Sequence, residues 1–280
     1  FILQLNAKIK ANNILREFVM KRKQRIKESI IAKKYKLAMC YEDILQYEKA
    51  NRIAEKLHIP LITKEECAYA ELLLLLCKEG IVLTDGKLSL HGDYTKLLRR
   101  LKYHNLSQEA LIRAVRIKGR CQGLTAIDCT AGMGEDSLLL AAAGFSVTLC
   151  EHNPIITLLL KDTIERAKSI PELADIVSRM TVIEGNSECI LSKLKVSPDI
   201  IFLDPMFPMK KKKSLVKEKL QVLQKLESPC TNEEILLQAA MQARPTRIVI
   251  KRPAKGPYLA NIKPSYSISG DSIRYDCIVM

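Results

Sequence analysis

At 280 residues, 48% of them hydrophobic and 27% charged, the chain can bury one large core or a main core with a smaller attachment. A formal net charge of +14 points to a polyanionic partner or a lipid surface, and the absence of a lipidation motif disfavours the second. No apolar run approaches the roughly 20 residues that span a bilayer, and the start shows no short apolar leader, so a cytoplasmic location and no membrane partner are expected.

The nine cysteines include no C-x-x-C pair and the four histidines do not cluster with them. Neither a disulfide framework nor a metal site is therefore expected, and most of the cysteines read as small core residues.

Residues 1–60 carry fourteen basic and six acidic side chains. Asn12 to Leu57 follows a helical pattern with few breakers, so residues 1–56 read as a basic helical extension, either an RNA-contacting arm or a solvated helix face. Residues 57–118 read as a small α+β subdomain. His58 to Thr63 forms a turn into a short strand, and the apolar runs Glu71–Leu76 and Gly80–Leu90, separated by KEG and TDG turns, suggest a β meander. Lys96–Tyr103 and a segment opening at Ser107 (SQEALIRAVRI) are predicted helices.

From residue 119 to 280 strands and helices alternate. Predicted strands are LTAIDC, SVTLCE, MTVIEG, DIIFLD, RIVIKRP and a terminal IRYDCIVM; helices follow in EDSLLLAAAG, PIITLLLKDTIERAK, from about Ser187, and within 214–226 and 231–243. This alternation predicts an α/β fold, a Rossmann-like doubly wound and mostly parallel sheet. Ligands of such sheets sit beyond the carboxyl ends of the strands, and the polar signals of this chain fall there.

The first signal is AIDCTAGMGEDS, where Asp128 ends a strand, Gly132 and Gly134 allow close backbone approach, and Glu135 and Asp136 open a helix. Ser137 stands where a dinucleotide fingerprint needs its third glycine, and two acids at a helix start repel phosphate. A cationic, phosphate-free nucleoside such as S-adenosylmethionine suits this loop better. The second signal is Glu151, an acid ending the next strand and placed for ribose hydroxyls, with His152 beside it. In the third, EGNSE, Asn186 and Ser187 either bond an adenine edge or cap the following helix.

The fourth is DPMF. Asp204 can accept hydrogen bonds from an amino group, Phe207 offers a face for base stacking, and Pro205 and Pro208 keep the loop out of a sheet. That composition suits methylation of an exocyclic base amine, by alignment and electrostatics and without a metal. Lys210, Lys211, Lys212, Lys213 and Lys217 follow at once, and Lys251 and Arg252 end another strand. Together they would form a basic collar that holds RNA phosphates around the pocket.

The strings DCTAGMGEDSLLLAAAG, CEHNP, LDPMFPMKKKKSLVKEKLQVLQ and VIKRP, with AVRIKG before the first strand, resemble the RsmJ family over about residues 55–280. These are bacterial class I, S-adenosylmethionine-dependent methyltransferases acting on N2 of a guanine in 16S rRNA. The resemblance implies that activity at the guanine conventionally numbered 1516. It places the cofactor contacts on Glu135 and Asp136, Glu151 and His152, Asn186 and Ser187, and Asp204. The family pattern has Arg at the positions of Glu135 and His152, and Ser at that of Asn186. The expected partner is 16S rRNA or the small ribosomal subunit. Rival readings are a DNA or protein-amide methyltransferase, a nicotinamide-dependent oxidoreductase, and a catalytically silent RNA-binding relative.

Overall fold

The computed structural model describes residues 34–120, 123–205 and 233–280. The described residues divide into two compact units, 34–78 with 83–87, and 79–82 with those from 88 to 280.

In the first unit, β1 (Tyr35–Tyr41) leads through a 3-10 turn into helix α1 (Tyr47–Leu57) and returns as β2 (Ala70–Cys77), parallel to β1 from Tyr35↔Ala70 to Tyr41↔Leu76. The helical pattern expected through this region holds for α1, but a strand stands at Tyr35–Tyr41. Ala38, Met39 and Cys40 there are buried, and pairing with a leucine-rich strand overrides the basic, helix-like local sequence. In β2 the ambiguous leucine run resolves by period two: Leu72, Leu74 and Leu76 are buried, while Leu73 and Leu75 pack against Ala38, Cys40 and Ile62. His58 to Thr63 contributes only an isolated bridge, Met39↔Leu61. Strands β3 (Gly80–Thr84) and β4 (Ser89–Leu90) follow along the chain.

The second unit is built on a seven-stranded sheet. Its strands are β5 (Thr125–Asp128), β6 (Ser146–Glu151), β7 (Met180–Glu184), β8 (Ile200–Leu203), β9 (Arg247–Pro253), β10 (Tyr266–Ser269) and β11 (Ile273–Val279). The order is β10-β11-β9-β8-β5-β6-β7. Strands β5 to β9 are mutually parallel, and β11 runs antiparallel to both β9 and β10. The predicted doubly wound, mostly parallel sheet is thus present. The edge strand β10 was not anticipated, because YSIS is short, polar and largely exposed.

Side chains alternate between two cores on the two faces of this sheet. Ala126, Val147, Leu149, Ile200, Phe202 and Val249 join one; Ile127, Cys150, Ile201, Leu203, Ile248 and Ile250 join the other. Strands buried on both faces explain the continuous apolar runs in the sequence. Each fully buried Leu, Ile or Phe contributes about 1.5–3 kcal/mol.

The helices of this unit are α2 (Leu98–Leu101), α3 (Tyr103–Gln108), α4 (Ala110–Val115), α5 (Glu135–Ala142), α6 (Pro154–Ala167), α7 (Pro171–Ser178), α8 (Ser187–Leu191) and α9 (Glu233–Gln242). The expected helix from Ser107 is broken at Glu109. That residue takes an extended conformation and grips Arg100 through two bonds of 2.7 and 2.9 Å, while Ser107 lies inside α3. Chain direction across the sheet reverses between β5 and β8, since β6 and β7 extend one way and β8 and β9 the other. This switch point opens a crevice at the strand ends. The helix predicted within 214–226 lies outside the described residues.

Candidate functional site

Loops at the carboxyl ends of β5, β6 and β8 are tied to one another by backbone bonds. The Cys129 amide donates to the Phe202 carbonyl at 3.0 Å and the Ala131 amide to the Cys150 carbonyl at 3.2 Å. Thr130 continues the stitching, its Oγ1 accepting from the Asp204 amide at 2.6 Å. Three of the loops that sequence singled out thus meet across the switch point.

Glu151, 6% exposed, is the fixed acid of this group. Its Oε2 accepts from the Gly132 amide at 3.0 Å and its Oε1 from the Asn153 amide at 2.8 Å. An ionised carboxylate offers about four lone-pair sites, so these two bonds orient Glu151 and leave it acceptor capacity. His152 is exposed, with Nδ1 3.5 Å from Glu151 Oε1.

The two glycines of the loop do different work. Gly132 has φ +52 and open space where a side chain would begin. Gly134, at φ +72, precedes α5, and a Cβ there would lie 2.5 Å from Tyr94 Oη and 2.7 Å from Leu160 Cδ1. Tyr94 Oη itself donates to the Met133 carbonyl at 3.1 Å, so it cannot retreat without breaking that bond. Gly134→Ala is expected to destabilise the protein by about 2–4 kcal/mol, from left-handed strain plus overpacking. Gly132→Ala should cost about 1 kcal/mol, from strain alone. Thermal melts of the two variants check this, and equal losses would show that the Tyr94–Leu160 wall yields.

Asp128 faces inward rather than toward the crevice. It is 1% exposed, and its carboxylate accepts from Ser137 Oγ at 2.6 Å and from the Thr130 amide at 3.0 Å. Burial pushes its pKa up to about 7, against the pull of these two hydrogen bonds. Its work is to lock the loop onto the first turn of α5.

A three-charge cluster sits beside it. Lys251 Nζ, on β9, lies 2.6 Å from Asp136 Oδ2 and 2.9 Å from Asp204 Oδ2. The two carboxylate oxygens are therefore at most about 5.5 Å apart, the sum of those distances. Without the ammonium the acids would repel by about 3 kcal/mol at an effective dielectric constant near 20. Burial pushes the Asp204 carboxyl above its usual range, and Lys251 draws it back in part. Burial disfavours the Lys251 charge too, but Asp136 and Asp204 outweigh it and raise its pKa.

The structure brings Gly132, Gly134, Asp136, Glu151 and Asp204 to this crevice, with Glu135 exposed in the first turn of α5. Asn186, not Ser187, caps α8, its Oδ1 accepting from the Glu188 and Cys189 amides at 2.9 and 3.4 Å. Ser187 is buried and donates to the Cys129 carbonyl, which adds another tie to the β5 loop. The expected basic collar is corrected at two positions. Lys251 is committed to two carboxylates, and Arg252, 2% exposed, bonds Glu233 at 3.0 Å and the Pro257 carbonyl at 3.1 Å. Phe207, Lys210, Lys211, Lys212, Lys213 and Lys217 lie outside the described residues. Sequence reasoning missed Thr130 and the Lys251 bridge. Lys251 and Asp136 are 115 positions apart, and no local pattern joins them.

Comparisons with known proteins identify relatives of the chain. A family model described as "Putative SAM-dependent methyltransferase" matches residues 70–280. The ribosomal RNA small subunit methyltransferase J of Nitrosococcus oceani is 32% identical over 246 residues, covering 85% of this chain and 96% of that protein. The protein of the same name from Thioalkalivibrio sulfidiphilus is 36% identical over 242 residues, covering 83% and 93%. A crystal structure of a SAM-dependent methyltransferase from Neisseria gonorrhoeae superposes with a TM-score of 0.67 at 28% identity, covering 86% of this chain and 96% of that one.

Proposed function

This chain belongs to the ribosomal RNA small subunit methyltransferase J family of S-adenosylmethionine-dependent enzymes, and from that premise we propose that it methylates the exocyclic N2 of a guanine in 16S rRNA. The nucleotide conventionally numbered 1516 is the expected target. Asp204, held at the switch point by Thr130 and Lys251, is the observation that carries the amine-directed part of this reading.

The residues present fit S-adenosylmethionine. Open space over Gly132 admits a ligand against the backbone, and the pinned Glu151 carboxylate has acceptor capacity for ribose hydroxyls. Glu135, Asp136, Glu151 and Asp204 exceed Lys251 in charge, which favours a cation and disfavours a phosphate. When bound, this cofactor supplies an electrophilic methyl group on a sulfonium that needs no further activation.

The protein's own residues then align and polarise the amine. A guanine N2 lone pair is delocalised into the ring. Lys251 engages Asp204 Oδ2, and Oδ1 accepts an N–H bond from the amine, which helps localise the lone pair as the nitrogen attacks. An ionised acceptor makes this bond roughly twice as strong as a neutral one. Phe207 is assigned to stacking of the base, and the lysines at 210–213 and 217 to phosphate contacts, on sequence grounds. No described helix is long and apolar enough to cross a membrane.

The reading is tested by incubating small ribosomal subunits and naked 16S rRNA with methyl-labelled S-adenosylmethionine. Label is expected in the RNA of at least one of them. Label in neither, from a folded protein that binds the cofactor, would overturn it.

A further inference from the structure

We infer that Lys251 is the positioning residue of this site: its ammonium, set between Asp136 on α5 and Asp204 after β8, keeps Asp204 an ionised acceptor in a fixed place. The inference rests on the methyl-transfer reading above and moves Lys251 from the phosphate-binding surface to the interior of the site. Three observations support it. The Lys251 side chain is only 23% exposed and touches both acids at 2.6 and 2.9 Å. The acids come from different elements, so one cation couples the helix that follows the glycine loop to the loop that faces the amine. The Asp204 amide is tied independently to Thr130, so Lys251 acts on the carboxylate rather than on the path of the chain.

Among the described residues, the other charged or titratable groups that act electrostatically on the cluster are Asp128, Tyr275 from β11, Arg252 and Arg100. None of them places an ammonium or guanidinium between the two acids as Lys251 does.

Methyl transfer that requires ionised Asp204 rises with pH through the pKa of that group. Removing Lys251 leaves two neighbouring carboxylates, of which one ionises only at higher pH. In Lys251→Gln the acid limb of kcat should therefore move up by about one pH unit or more. At pH values below the displaced limb kcat should fall about 10-fold for each pH unit of displacement, with KM for RNA little changed. Lys251→Arg should restore the limb in large part. Asp136→Asn should move it the other way, to lower pH, because a like charge is gone and Lys251 serves Asp204 alone.

The experiment is the pH profile of single-turnover methyl transfer for the wild type and these three variants. It is paired with carboxyl-carbon NMR titration of Asp136 and Asp204 in wild type and Lys251→Gln, and with a thermal melt of each. A raised KM for RNA and a shallower salt dependence in Lys251→Gln, with an unmoved limb, would make Lys251 a phosphate contact and overturn the inference. A loss of equal size at every pH, with a lowered melting point, would make it only structural. Should Lys251→Gln fail to fold, an Asp136→Asn limb that stays in place refutes the inference by itself. Should the wild type label no RNA, the proposed function falls, and the NMR titration still decides whether Lys251 holds the two acids ionised.

Discussion

Asp204→Asn is expected to lower single-turnover methyl transfer by about 10²–10³-fold, the range for losing one preorganised electrostatic contact to a reacting group. The substitution keeps the size of the side chain and the amide bond to Thr130, so the loop stays in place. It removes the charge, and an amide nitrogen now competes with oxygen for the position facing the amine. Cofactor affinity should change by only a few fold, since Glu151 and the glycine loop are untouched. The fold should also tolerate the change. Burial already disfavours the Asp204 charge, and a neutral side chain relieves that cost while Lys251 keeps Asp136. Activity within twofold of wild type would remove Asp204 from the mechanism.

Glu151→Ala should have the second largest effect, on both stability and cofactor binding. Its carboxylate satisfies the amides of Gly132 and Asn153. A fully buried amide left unpaired costs about 1–3 kcal/mol, and these two are half-buried, so a combined loss of about 1–3 kcal/mol is expected. S-adenosylmethionine affinity, read by calorimetry, should fall by about 10²-fold as the ribose acceptor disappears and the Gly132 backbone loosens. Glu151→Gln separates the two roles only in part, because its amide nitrogen must face one of the N–H donors. Undiminished cofactor affinity in the alanine variant would show that the ribose is held elsewhere.

Much of the second unit was legible in the sequence for a specific reason. Strands β5, β6, β8 and β9 are buried on both faces, so they stand out as apolar runs that end abruptly on polar residues. Those ends are where a doubly wound sheet collects its ligands, which is why Asp136, Glu151 and Asp204 could be picked out together. β1 was illegible because its strand character comes from a partner more than thirty positions away, while its local sequence is basic and helix-like. α7 was passed over although Pro171 marks its first turn, since it spans only eight residues between longer elements.

Side-chain direction was the other blind spot. Which of Asn186 and Ser187 caps α8 turns on a single position of helix start, a quantity that spacing alone does not resolve. Lys251 and Arg252 adjoin in sequence and look like one basic pair. Alternation along β9 sends them to different surroundings, one between two acids in the crevice and the other to Glu233. Asp128 looked like a ligand contact and proved to be a buried lock, because the hydroxyl of Ser137 waits on the next helix turn.

The most direct measurement is mass-spectrometric mapping of the methylated nucleotide after wild-type protein has acted on small subunits lacking this modification. The account predicts one new N2-methylguanosine, at the guanine conventionally numbered 1516, formed only with S-adenosylmethionine present and lost with Asp204→Asn. A methyl group on another base, on a ring nitrogen or on a ribose oxygen would contradict it.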